Sequence, residues 1–187
     1  MPGSVPLLLS CEEPAWEQIA GQDVWTHLFL SCIQEVFKET HWQHDSAISC
    51  LLTNDTHIQG LNSLYRHKNI PTNVLSFPLL EFDQPTLPKE DCFEYNHLGD
   101  VVLSFETIQR ESGNLGLLFQ DHTLHLFTHG LLHLLGYDHE EDCEARVMEG
   151  LETSILQNLG LADPYAVRGE DDSAESERGY LETTSFS

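Results

Sequence analysis

Three histidines in the run His129-Gly130-Leu131-Leu132-His133-Leu134-Leu135-Gly136-Tyr137-Asp138-His139 have the spacing of a metal site. On an α-helix, residues i and i+4 lie one above the other, so His129 and His133 can offer two imidazoles to a single ion. Gly136 follows three residues later, where a left-handed residue would end the helix and reverse the chain, and that turn can swing His139 back to the same point. Three neutral imidazoles with no fourth protein ligand describe a catalytic zinc site with an open position, one ion per chain, in which a bound water ionises near neutral pH. His122 and His125 extend the histidine face backward. A set of His125, His129 and His133 on a straight helix fails, because i and i+8 are about 12 Å apart along the axis. His125 is therefore expected to pack or to support a ligand, and His122 to be partly exposed.

Metzincin peptidases have the same spacing, with a glutamate directly after the first histidine that takes the proton from the zinc-bound water. Here that position is Gly130. The ligand scaffold is kept without its usual base, which makes ordinary peptide hydrolysis a poor fit.

The histidine run closely resembles the signature of the YbeY family of metal-dependent endoribonucleases. Further matches follow in chain order: Leu61-Asn62 with Tyr65-Arg66, Pro71-Thr72-Asn73-Val74-Leu75-Ser76-Phe77-Pro78, and Leu98-Gly99-Asp100-Val101-Val102. Glu144-Ala145 and Met148-Glu149 resemble the helix after the histidines, so the likeness covers about residues 45 to 160. Asn73 departs from the aspartate more frequent in the family. The resemblance implies a single-strand-specific, zinc-dependent endoribonuclease that matures the 3′ end of small-subunit (16S) ribosomal RNA and serves ribosome quality control. It also implies that Arg66 lies at the metal cleft, where a planar guanidinium would grip the scissile phosphate. His129, His133, His139 and Arg66 are thus the expected catalytic set. Asp100 and Asp138 are candidates to orient a ligand imidazole, and each could equally serve a turn or cap. Two other classes compete: a metallopeptidase-like hydrolase with a base other than glutamate, and a non-catalytic ribosome-assembly factor.

The elements that must position these residues are legible in periodicity. Val24, Trp25, Leu28, Phe29, Ile33, Val36 and Phe37 recur at helical spacing over about 22–39. Residues 47–53 read as a strand, and Asn54-Asp55 can cap a helix bearing Ile58, Leu61, Leu64 and Tyr65 that ends near Arg66. Short strands are expected at 74–77 and 99–104, with a long Pro-containing loop over 79–96 between them. A helix over 105–111 is expected to give way at Gly113-Asn114. Then come the ligand helix, 118–135, and a last helix, 140–159, stopped by Gly160. The apolar start, Val5 to Cys11, is too short and Pro-broken for a signal segment and reads as a strand. The pattern is α+β: a small mixed β-sheet packed with helices, with the resemblance implying a zincin-like metal-binding helix against the sheet.

Length fits one domain over 1–162, followed by an acidic tail over 163–187 expected to be disordered. No run approaches a transmembrane helix. Five cysteines, odd in number and without a Cys-x-x-Cys pair, suit reduced thiols and a cytoplasmic location. The formal charge of −23 would repel naked RNA. Binding therefore calls for a local cationic focus, with Arg66 and Lys68 the only two basic residues so close together, and for a basic protein partner, which the family resemblance implies is a small-subunit ribosomal protein.

Overall fold

The computed structural model describes residues 6–79 and 96–166. Four strands form one mixed sheet in the order β1-β2-β4-β3, comprising β1 Leu7–Cys11, β2 Ser46–Thr53, β3 Val74–Pro78 and β4 Asn96–Ser104. β1 and β4 run parallel to β2, and β3 runs antiparallel to β4 at the sheet's edge.

Side chains alternate between the two faces of such a sheet. Ile48, Cys50, Leu52, Val74, Val101 and Leu103 point to the larger core. There they meet α2 (Gln22–Glu39), α5 (Phe119–Leu134) and α6 (Asp142–Asn158). Leu75 and Val102 point the other way and are covered by Ile58 of α3 (Asp55–Arg66). Asn54 caps α3 as its type predicts, accepting the His57 N–H at 3.0 Å.

Two helices differ from expectation. α1 (Ala15–Ile19) is a single turn, too short to show a period. It is held through Trp16, which is fully buried and donates its indole N–H to the Thr53 carbonyl at 3.0 Å. α4 (Phe105–Leu115) continues through Gly113-Asn114 and stops at Gly116, which has φ +67°. Ile108 and Ser112 lie on its buried face, and Gly113 faces open space. Packing thus outweighs the roughly 1 kcal/mol that a helical glycine costs.

The loop expected over 79–96 lies, apart from its end residues, outside the described residues, as does the chain from residue 167 onward. Residues 163–166 are described and return to α6. Among the described residues, no helix is long and apolar enough to cross a membrane.

Candidate metal centre

α5 is the structural centre of the site. It packs against β3, β4, α2, α4 and α6, and every residue from His122 to Leu134 is buried. A polar ring in such a helix is unfavourable unless partnered, so its histidines need an account. Gly130 lets the helix lie close to the sheet. A Cβ there would stand 2.9 Å from the Ser76 hydroxyl and 3.1 Å from a Val101 methyl. The position after His129 therefore faces β3 and β4, and a larger side chain there requires Ser76, Val101 or α5 to shift.

The helix ends as its glycine predicts. Gly136 has φ +85°, its N–H bonds the His133 carbonyl at 3.0 Å, and the Tyr137 N–H bonds the Leu132 carbonyl at 3.1 Å. This paired closure is the Schellman motif, and it reverses the chain. Asp138 stabilises the turn by accepting the His139 N–H at 2.8 Å. His139 consequently returns to the helix. Ligand atoms of His129, His133 and His139 all lie within 4.8 Å of one another. The Nε2 atoms of His129 and His133 are 3.1 Å apart, close to the roughly 3.3 Å separation that two nitrogens adopt around a tetrahedral ion. The donor set fits a metal.

The His129 ring is fixed from behind. Its Nδ1 donates to Glu152 Oε1 at 2.6 Å, because an ionised carboxylate can only accept, and this leaves the Nε2 lone pair facing the other histidines. Glu152 is fully buried on α6, and its Oε2 also accepts from His125 Nε2 at 3.0 Å and from the Tyr165 hydroxyl. Burial alone would raise the Glu152 pKa, yet His129 and His125 hold it well below the usual carboxylate range. Burial also lowers the His129 pKa, against the pull of Glu152. For His133, burial and then its neighbours His129 and His139 lower it to about 3, opposed by the Tyr137 backbone and Glu152. Both imidazoles are therefore neutral at pH 7, the form that ligates.

Other expected residues fall elsewhere. Asp100 shares the sheet face of Val102, across from α5, and lies 3.6 Å from His97. Asp138 takes its turn role. His122 is not partly exposed: it is 4 % exposed, and its Nε2 is 3.0 Å from Glu111 Oε2, because α4 packs alongside α5. Glu111 also accepts from Asn73 Nδ2 at 3.1 Å, while Asn73 Oδ1 accepts the Val74 N–H at 2.7 Å. An amide can do both, whereas aspartate there would set two carboxylates against each other. Arg66 ends α3, half-buried, just before His67 in a left-handed conformation. α3 and α5 lie on opposite faces of β3 and β4. Glu152 is the residue of the candidate site that spacing arguments missed. Its signal is a carboxylate on the buried face of α6, in line with Met148, Ile155 and Leu156.

The family model of endoribonuclease YbeY matches residues 12–160. Relatives named endoribonuclease YbeY include one from Rhodospirillum rubrum, 56% identical over 119 residues, 64% of this chain and 58% of that protein. Another, from Bradyrhizobium sp., is 45% identical over 152 residues, covering 81% of this chain and 86% of its own. The solution structure of TM1509 from Thermotoga maritima shares the fold, with a TM-score of 0.55 over 92% of this chain and 99% of that one at 22% identity. With the family model spanning three of the four strands, the histidine helix and the carboxylate behind it, the chain belongs to the YbeY family.

Proposed function

We propose that the chain is a single-strand-specific, zinc-dependent endoribonuclease that matures the 3′ end of small-subunit ribosomal RNA in the cytoplasm, where it also serves ribosome quality control. The observation that carries this reading is the convergence of His129, His133 and His139, with His129 held by a fully buried carboxylate. Family membership supplies the substrate class, since the relatives are named endoribonucleases. A zinc ion held by the three imidazoles would polarise a phosphoryl oxygen and lower the pKa of a water. Glu152 orients His129 and is engaged at both oxygens, so it is a positioning group and not a base.

Gly130 favours RNA over peptide as substrate. The place where metzincins carry their base is pressed against Ser76 and Val101, and RNA brings its own nucleophile in the 2′-hydroxyl. Arg66, at the end of α3 on the sheet face away from α5, reaches the bound RNA past the β3 edge, where its fork of donors grips a phosphate and offsets charge developing there. The net charge of −23 makes this cation a local focus, and a basic small-subunit ribosomal protein is the complementary partner.

Purified protein incubated with precursor small-subunit RNA should cut it in a single-stranded region near the mature 3′ end. Chelator should abolish the cut and added zinc restore it. Undiminished cleavage in chelator contradicts metal dependence, and cleavage confined to duplex contradicts the strand preference. Arg66→Ala and Arg66→Lys should both fold and retain zinc while cleavage drops at least about tenfold, since lysine keeps the charge and loses the fork. Wild-type rates in a zinc-loaded Arg66→Ala protein return Arg66 to an ordinary cation at a helix end.

A further inference from the structure

Glu152 is a carboxyl group at 0 % exposure, and a buried polar group persists only when its oxygens find hydrogen-bond partners. Oε1 receives His129 Nδ1 at 2.6 Å, and Oε2 receives His125 Nε2 at 3.0 Å together with the Tyr165 hydroxyl. The third donor comes from outside the helices. Gly160, with φ +80°, turns the chain at the end of α6, and the Leu161 N–H closes onto the Leu156 carbonyl at 2.9 Å. Asp163 Oδ1 then accepts both the Tyr165 N–H at 2.9 Å and the hydroxyl of Thr153, the residue next to Glu152, at 3.3 Å. The segment Asp163 to Tyr165 is therefore tied to the turn of α6 that carries the carboxylate. The Tyr165 ring meets His125 edge-on at 5.6 Å between centroids, which directs its hydroxyl to the oxygen that His125 also binds.

We propose that Tyr165 is a positioning residue for the metal centre: its hydroxyl, with His125, pins Glu152 so that the carboxylate holds His129 in the tautomer and orientation that ligate. This rests on reading His129, His133 and His139 as a metal site. The chain reaches that site from two directions: α5 brings the ligands, and the segment after α6 locks the carboxylate behind them. It follows that the working domain extends past residue 162, to include Tyr165. Removal of the hydroxyl leaves Oε2 with His125 as its partner and one hydrogen bond fewer, so the carboxyl group is free to turn toward His125, away from His129.

The test uses the full-length chain and zinc itself as probe. Zinc affinity is measured by chelator competition for wild type, Tyr165→Phe, Glu152→Gln and the double variant, alongside the thermal midpoint of each metal-free protein. Tyr165→Phe keeps the ring and its packing, so the metal-free midpoint should fall by no more than one lost buried hydrogen bond explains, while zinc affinity falls about tenfold, the low end of effects from groups that support a ligand. In the Glu152→Gln background the same change should shift affinity less than about twofold, because the path through the carboxylate is already cut. The visible spectrum of the cobalt(II)-substituted protein should also change in Tyr165→Phe, as rotation of His129 alters the ligand field.

Affinity within about twofold of wild type in Tyr165→Phe, or a lower midpoint with unchanged affinity, overturns the proposal and leaves Tyr165 a structural anchor. A full tenfold loss in the Glu152→Gln background overturns the route through Glu152. Wild-type protein that binds no zinc overturns the metal site and this inference together. Wild-type protein that binds zinc and leaves RNA intact tells against the nuclease reading alone.

Discussion

Among the histidine–carboxylate pairs on α5, His122–Glu111 and His129–Glu152 make a contrast: only the second holds a proposed ligand. Near the start of α5, His122 faces Glu111 at 3.0 Å; near its end, His129 faces Glu152 at 2.6 Å. Both histidines are buried, and both carboxylates come from a neighbouring helix. The difference is on the other side of each ring. His129 presents Nε2 to His133, with the His139 ring beyond, whereas His122 Nδ1 is buried among the described residues with no hydrogen-bond partner. In the proposed site the His129–Glu152 pair orients a ligand, whereas the His122–Glu111 pair ties α4 to α5. Pairing with a carboxylate does not make a histidine a ligand; convergence with two more does.

The comparison breaks most visibly in metal content. His133→Ala should lose at least about 100-fold in zinc affinity, since two imidazoles hold a catalytic ion poorly, while His122→Ala should retain one zinc per chain. Elemental analysis after dialysis checks both, and equal loss in the two variants erases the distinction. The carboxylates should divide likewise. Glu152→Gln should weaken zinc about 10- to 100-fold, and Glu111→Gln should lower the thermal midpoint with affinity near wild type. Chelator competition separates them, and comparable affinity losses contradict the assignment.

Packing should show the next effect. Gly130→Ala should destabilise by about 1–3 kcal/mol, because its Cβ meets the Ser76 hydroxyl at 2.9 Å on the sheet. Gly150→Ala on α6, with nothing within 4 Å, should stabilise by roughly 0.5–1 kcal/mol in urea unfolding. Equal signs for the two glycines contradict the close approach of α5 to the sheet.

Acid should act more gently. His133 is held neutral down to about 3, against an ordinary histidine value of about 6.5. Between those limits the unfolded chain takes up a proton that the folded chain refuses, so metal-free stability should fall as pH drops below about 6.5. Glu152, held below the carboxylate range, adds a loss of the same sign below about 4.5. Thermal midpoints in chelator should decline from pH 7 to pH 5, with His133 lowering the unfolding free energy by no more than about 1.4 kcal/mol per pH unit; a midpoint that rises on acidification contradicts the buried neutral imidazole.

What the sequence made legible was what is local. The i, i+4 pair and the glycine turn that returns His139 follow from helix geometry alone, and the Asn54 cap follows from its side-chain type. Glu152 and Tyr165 join the site from 23 and 36 residues beyond His129, through packing that no spacing rule reports. His122 was misread for the same reason, since its burial depends on α4. Gly130 reads in sequence as a missing base, and in the fold it is where α5 touches the sheet.

The most direct measurement of the central claim is zinc K-edge X-ray absorption on the purified, zinc-loaded chain. Three converging imidazoles predict a light-atom environment at about 2.0–2.1 Å, with multiple scattering that accounts for three histidines and no sulfur. A sulfur contribution near about 2.3 Å would put one of the five cysteines on the metal. That result, or scattering from fewer than three imidazoles, contradicts the assignment of His129, His133 and His139 as the ligands.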